Sequence, residues 1–176
     1  FKDSHLSFRD KTDDYIFSAI CVKGHLYKNP ALYLSESDLQ EMIVDGQGDG
    51  GVDILLTDPE SEECDLIIAQ SKYYTSITKD DVSAALNKMA LFYKNMNAGH
   101  YEQVNAKVQR RFLSLNSERA ENSKVRFVFY TSAAQSGIRR PQIIQHFKDQ
   151  FDDSSQIEVE LFFGKDIEEE IKESES

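Results

Sequence analysis

The chain contains no tryptophan, only two cysteines and only three prolines among 176 residues. Two cysteines cannot build a disulfide framework. Cys21 and Cys64 also lack a CxxC spacing and a matching histidine pattern, which argues against structural zinc. The expectation is reduced thiols in a cytoplasmic protein. No apolar run approaches the ~20 residues that a membrane helix needs, and no signal-peptide pattern is present, so no membrane partner is expected. Internal repeats and low-complexity linkers are absent as well. The length suits one domain over residues 1–176 with a sizeable core. The first residue is Phe1 rather than Met and the last four are Glu-Ser-Glu-Ser, which reads as a domain cut from something longer.

Basic charge is scarce overall, with 20 Lys and Arg against 31 Asp and Glu and a net charge of −11. Its distribution matters more than its total. Residues 1–65 carry 5 basic and 15 acidic side chains, residues 66–148 carry 13 and 5, and residues 149–176 carry 2 and 11. A polyanion responds to the local field, so the middle stretch is a candidate nucleic-acid face. Lys107, Arg110, Arg111, Arg139 and Arg140 are the candidate phosphate contacts. The competing reading is solubility charge on solvated helix faces. His5, His25, His100 and His146 are scattered without ligand spacing and read as surface or packing residues. Tyr73 and Tyr74 read as packing residues before base-stacking platforms.

Residues 1–11 read as a polar lead-in. Thr12-Asp13-Asp14 caps a first helix with apolar positions through Val22, and Gly24 is placed to end it. Asn29-Pro30 marks a turn, and Ser35-Glu36-Ser37-Asp38 opens a second helix through Ile43. Thr78-Lys79-Asp80-Asp81 has the form of a capping box. The apolar spacing from Val82 to Met96 then predicts a long helix ending at Asn97-Ala98-Gly99. A further helix is expected over residues 101–115. Val125–Thr131 reads as a strand, Pro141 as a helix start, Ile157–Phe163 as a strand with one exposed face near a sheet edge, and Asp166–Lys172 as a short acidic helix. This order fits an α/β fold, a mixed β-sheet flanked by helices on both sides.

The stretch with chemistry is Gly50-Gly51-Val52-Asp53-Ile54-Leu55-Leu56, followed by Ile67-Ile68-Ala69-Gln70-Ser71-Lys72. Both parts are short, apolar and rich in branched residues, and Asp58-Pro59-Glu60-Ser61-Glu62-Glu63 between them is a polar turn. A hairpin centred between Ser61 and Glu62 puts Asp53 opposite Gln70. The two-residue period of a strand then gives Asp53, Gln70 and Lys72 one common face. Before the hairpin, Asp45 to Gly51 holds glycine at four of seven positions. Its spacing is not that of a phosphate-binding P-loop, so its expected task is a sharp turn that exposes Asp53. Together an acid, an amide and a lysine on an apolar hairpin fit a hard divalent cation with oxygen donors, Mg²⁺ or Mn²⁺. Lys72 is suited to stabilising charge on a phosphate.

Asp53 followed by Gln70-Ser71-Lys72 resembles the catalytic core of the PD-(D/E)XK nuclease superfamily, in the Gln-x-Lys form of Mrr-like restriction enzymes. The longer string Asp-Gly-Gln-Gly-Asp-Gly-Gly-Val-Asp-Ile, with Ile-Ala-Gln-Ser-Lys-Tyr after it, resembles the N-terminal domain of abortive-infection phage-resistance (AIPR) proteins. Phe127–Ser132 and Val159–Phe162 fit the same pattern, and the likeness covers about residues 8–170. It implies a restriction-endonuclease-like fold and Mg²⁺-dependent hydrolysis of nucleic acid, DNA in the first instance with RNA left open. It also implies a bacterial phage-defence role and an N-terminal place in a longer protein. Asp53, Gln70 and Lys72 would be catalytic, with Asp53 and Gln70 as metal ligands and Asp14 as a further ligand from the first helix. Asp13 and Glu41 are rivals for that last position. Two departures stand out: Gln70 replaces the usual second acid, and Asp14 replaces a helix glutamate. The alternative is therefore a catalytically weak nuclease-fold module that binds nucleic acid or a partner protein. A homodimer would serve a two-strand cut, though no residue pattern dictates one.

Overall fold

A computed structural model describes residues 11–29, 31–46, 48 and 50–175. The lead-in other than Lys11, Pro30 of the Asn29-Pro30 turn, and Gln47 and Asp49 of the glycine-rich connection lie outside the described residues. Among the described residues the α-helices and strands follow in order: α1 (Asp13–Cys21), α2 (Glu36–Met42), β1 (Ile54–Thr57), β2 (Leu66–Lys72), α3 (Lys79–Asn97), α4 (Ala106–Ser117), β3 (Val125–Thr131), α5 (Arg140–Lys148), β4 (Ile157–Phe162) and α6 (Gly164–Glu175). The strands form one mixed sheet in the order β1-β2-β3-β4. β1 and β2 are antiparallel, and β2–β3 and β3–β4 are parallel. Parallel neighbours need long crossovers. Here α3 and α4 supply the first and α5 the second.

The alternating side chains of the strands divide the core in two. Leu55, Leu66, Ile68, Val125, Phe127, Phe129 and Val159 pack against α3, α4 and α5. Ile54, Leu56, Ile67, Ala69, Val128 and Tyr130 pack against α1, α2 and α6. The fold is thus α/β with helices on both faces. Among the described residues no helix is long and apolar enough to cross a membrane.

The local signals act as their chemistry dictates. Thr78 and Asp81 exchange side-chain-to-backbone hydrogen bonds of 3.0 and 3.2 Å, closing the capping box of α3. Thr12 accepts from the Tyr15 amide at the start of α1. β4 alternates buried Ile157, Val159 and Leu161 with half-buried Glu158, Glu160 and Phe162, and it is a sheet edge as its pattern implies. Arg126 on β3 ties Glu160 of β4 to Asp58 of the hairpin turn, at 2.8 and 2.6 Å.

Three element boundaries differ from the sequence expectation. Gly24 does not end the first helix: α1 widens into a π-helical turn over Val22–Leu26 that runs through it. The wider turn keeps Val22 and Leu26 buried while His25 Nδ1 meets the Tyr130 hydroxyl at 2.6 Å. The helix expected from residue 101 starts only at Ala106. Asn105 caps it by accepting from the Val108 amide, and the Asn105 amide is itself tied to the Gly48 carbonyl. The last helix begins at Gly164, with Asp166 turned back to accept from the Phe163 amide.

Candidate functional site

The hairpin forms in the expected register. Ile54 pairs with Ala69, Leu55 with Ile68 and Leu56 with Ile67, and the ladder ends at Ile54; Asp53 and Gln70 are the next residues on the two sides of the hairpin. Asp53 is fastened on both sides by its backbone. Its amide donates to the Ala69 carbonyl and its carbonyl accepts from the Val44 amide, each at 2.9 Å. β1 ends here, which would leave the Ser71 amide of β2 without a ladder partner. The Asp53 carboxylate takes that place, accepting from Ser71 N–H through Oδ2 at 2.8 Å. A charge-assisted bond of this type stabilises by about 1.5–3 kcal/mol. It holds a buried carboxylate, only 6% exposed, in one orientation.

Gln70 is 3% exposed, and its side-chain oxygen Oε1 is buried without a hydrogen-bond partner. Leaving a buried acceptor unmet costs about 1–3 kcal/mol, so the position carries a burden that packing does not explain. Lys72 is half-buried at the end of β2, with Nζ 6.0 Å from the centre of the Tyr74 ring. All three side chains open into one cleft of about 410 Å³, whose far wall is α3 and the loop after it. The glycine turn brings α3 close. Gly50 and Gly51 have φ of +71° and +82°, and a Cβ on Gly51 would stand 2.9 Å from Cβ of Lys88. Glycine therefore satisfies both the positive φ and the close approach, and Lys88 becomes a second lysine lining the cleft.

Asp14 is not among the residues lining this cleft. It is exposed in the first turn of α1, and α1 packs on the opposite face of the sheet, where Ser18 Oγ meets Ser71 Oγ at 2.6 Å. Asp13 is exposed beside it, and Glu41 is exposed 4.0 Å from Arg111 Nη1. Among the described residues the second acid lining the cleft is Asp45, the first residue of the glycine-rich turn. The bridge from Ile43 to Ile54 brings this turn beside β1. Behind the hairpin, burial first and the Asp53 charge second hold the Cys21 thiol well above its usual pKa. It stays neutral and is a packing group.

Among the described residues no group of three or more His, Cys, Asp and Glu side chains is arranged to hold a metal. Among the described residues the cleft is lined by two carboxylates, Asp45 and Asp53, and by the unmet amide oxygen of Gln70. These are hard oxygen donors. They fit magnesium, which takes one or two carboxylates and keeps several waters.

The candidate phosphate contacts divide. Lys107 Nζ donates to the Gln40 and Ile43 carbonyls at the end of α2, each at 3.2 Å. Arg111 Nε donates to the Leu55 carbonyl on the edge strand at 3.0 Å, and burial lowers its pKa. Arg140 pairs with Asp166 and lies over the Phe163 ring. These contacts tie all three to the fold. Arg110 and Arg139 are exposed. Comparison with family models, with curated proteins and with solved structures finds no match for this chain.

Proposed function

We propose that this chain is a metal-dependent nuclease domain that hydrolyses phosphodiester bonds of nucleic acid. The observation that carries it is the buried, unmet oxygen of Gln70 in a cleft shared with Asp53 and Lys72. Asp53 and Gln70 would hold Mg²⁺ or Mn²⁺, with Asp45 as a further carboxylate. When bound, the ion would polarise the phosphate and lower the pKa of water beside it. Asp53 is already held in one rotamer by the Ser71 amide, so its carboxylate needs little reorganisation. Lys72 would steady negative charge on the phosphate. The resemblance to abortive-infection phage-resistance proteins supports a cytoplasmic, defensive role and DNA as the first substrate to try.

The neutral Gln70 and the exposed position of Asp14 favour a second reading, a nuclease-fold module that binds without cutting. One experiment separates them. Purified protein is incubated with DNA and RNA in Mg²⁺ or Mn²⁺, and Mn²⁺ binding is followed by isothermal titration. Divalent-dependent cleavage that Asp53→Asn and Lys72→Ala both remove is the expected result. Wild-type cleavage in either variant rejects the site. Nucleic-acid binding with no metal uptake leaves the binding module.

A further inference from the structure

The cleft does not stand alone. A second hollow of about 160 Å³ lies beside the first of about 410 Å³, and Gln70, Lys72 and Lys88 line both. These three residues thus form a saddle between two recesses. The larger recess is backed by Phe92 and Met96, both buried in the core, and its exposed apolar surface is Leu91, 56% exposed. The smaller one is bordered by Tyr74, which is 45% exposed and stands next to Lys72.

A saddle carrying two lysines suits a phosphate, and an apolar or aromatic surface on each side suits the face of a base. From this arrangement, and building on the nuclease reading above, we infer that the substrate is single-stranded nucleic acid. The strand lies across the saddle with the scissile phosphate at Lys72 and Lys88. One flanking base lies against Leu91 in the larger recess, and the next stacks on Tyr74. A duplex cannot make this contact unless it opens. Its bases are paired inside the stack, and withdrawing them must be paid for in unstacking, whereas unpaired bases splay freely onto such surfaces. Asp53 and Gln70 are buried on the cleft floor, so the backbone has to descend to them, which an unpaired strand does most easily. Base-face stacking discriminates little among bases, so sequence preference is weak. The exposed position of Tyr74 also gives it a function that packing does not supply.

The test is fluorescence anisotropy in EDTA, where no cleavage occurs. The whole chain is titrated onto labelled single strands of about 12 nucleotides, of DNA and of RNA, and onto the same DNA sequence as a blunt duplex. A single strand bound at least about tenfold more tightly than the duplex is expected. Tyr74→Ala should weaken single-strand binding about tenfold while leaving the duplex unchanged. Lys88→Ala should lower the salt slope for a single strand by roughly 0.7. Circular dichroism and thermal midpoints check that each variant is folded. Equal or tighter binding of the duplex overturns the inference, and so does a folded Tyr74→Ala variant with wild-type single-strand affinity. The nuclease reading fails separately. Single-strand binding without cleavage in Mg²⁺ supports the saddle and rejects catalysis, while cleavage of duplex alone rejects the saddle and keeps catalysis.

Discussion

The Ser71 amide donates to Asp53 Oδ2 at 2.8 Å, from one strand of the hairpin to the residue that opens the other. One carboxylate therefore closes the ladder and faces the cleft. These two roles separate on substitution. Asp53→Asn keeps an oxygen for the amide, and Asp53→Ala strands it. Chemical denaturation should show a loss of about 1–3 kcal/mol for the alanine variant and less than about 1 kcal/mol for asparagine. Both should lower divalent-dependent cleavage at least about a hundredfold, the scale of one lost transition-state contact. An asparagine variant that cuts normally would remove Asp53 from the site.

Gln70 presents the opposite balance. Its buried Oε1 gains nothing from the protein around it. Gln70→Met keeps the length of the side chain and removes the orphan acceptor. Stability should stay level or rise by about 1 kcal/mol, while Mn²⁺ affinity should fall at least about tenfold by isothermal titration. A variant that is clearly less stable would show that the amide serves the core.

The hairpin was legible in the sequence because its signals are local. Branched apolar runs, a Pro-containing turn and strand alternation set the register, which puts Asp53 and Gln70 just beyond the Ile54–Ala69 pair. The capping box at Thr78 and Asp81 is equally local. Which acid joins them was not legible. Asp14 lies on a helix whose buried Ser18 meets Ser71, so α1 covers the face of the sheet away from the cleft. That face is chosen by tertiary packing, and an exposed loop residue, Asp45, takes the cleft position instead. The basic stretch depends on tertiary packing in a related way. Lys107 and Arg111 read as candidate phosphate contacts, and the fold also ties them to carbonyls of the α2 end and of edge strand β1. Carbonyls left open at a helix end or a sheet edge attract cations, and only the assembled fold brings them within reach. The π-helical turn likewise depends on a partner 105 residues away, Tyr130.

Gly51 and Gly99 give a matched pair. Both have left-handed φ, +82° and +78°, but an added Cβ meets Lys88 at 2.9 Å only at Gly51 and meets nothing within 4 Å at Gly99. Each alanine variant should lose about 1–2 kcal/mol from the backbone alone. Gly51→Ala should lose about 1 kcal/mol more, because α3 must shift. It alone should reduce cleavage, since the shift moves Lys88. Equal stabilities and equal activities for the two variants would mean that the contact with Lys88 has no consequence.

The π-helical turn makes stability depend on pH near neutrality. Burial lowers the His25 pKa. Glu170 and Glu160 oppose this, and Lys28 and Arg126 reinforce it. The ring also packs on Phe162, with centroids 4.4 Å apart. The unfolded chain binds this proton near pH 6.5, whereas the folded chain resists it to lower pH. Stability contributed by neutral His25 is therefore complete above that value and is lost as pH falls through the lowered folded pKa. The slope can reach about 1.4 kcal/mol per pH unit within that window. The carboxyls of Asp38, Asp81 and Asp153 are shifted below their usual pKa of 3.8 and do not titrate there. Urea denaturation at pH 5.5 and 7.5 should show the wild type weaker at the lower pH. His25→Gln, which keeps a hydrogen-bonding partner for Tyr130 but cannot titrate, should show a smaller difference. An unchanged difference in that variant would assign the dependence to another group.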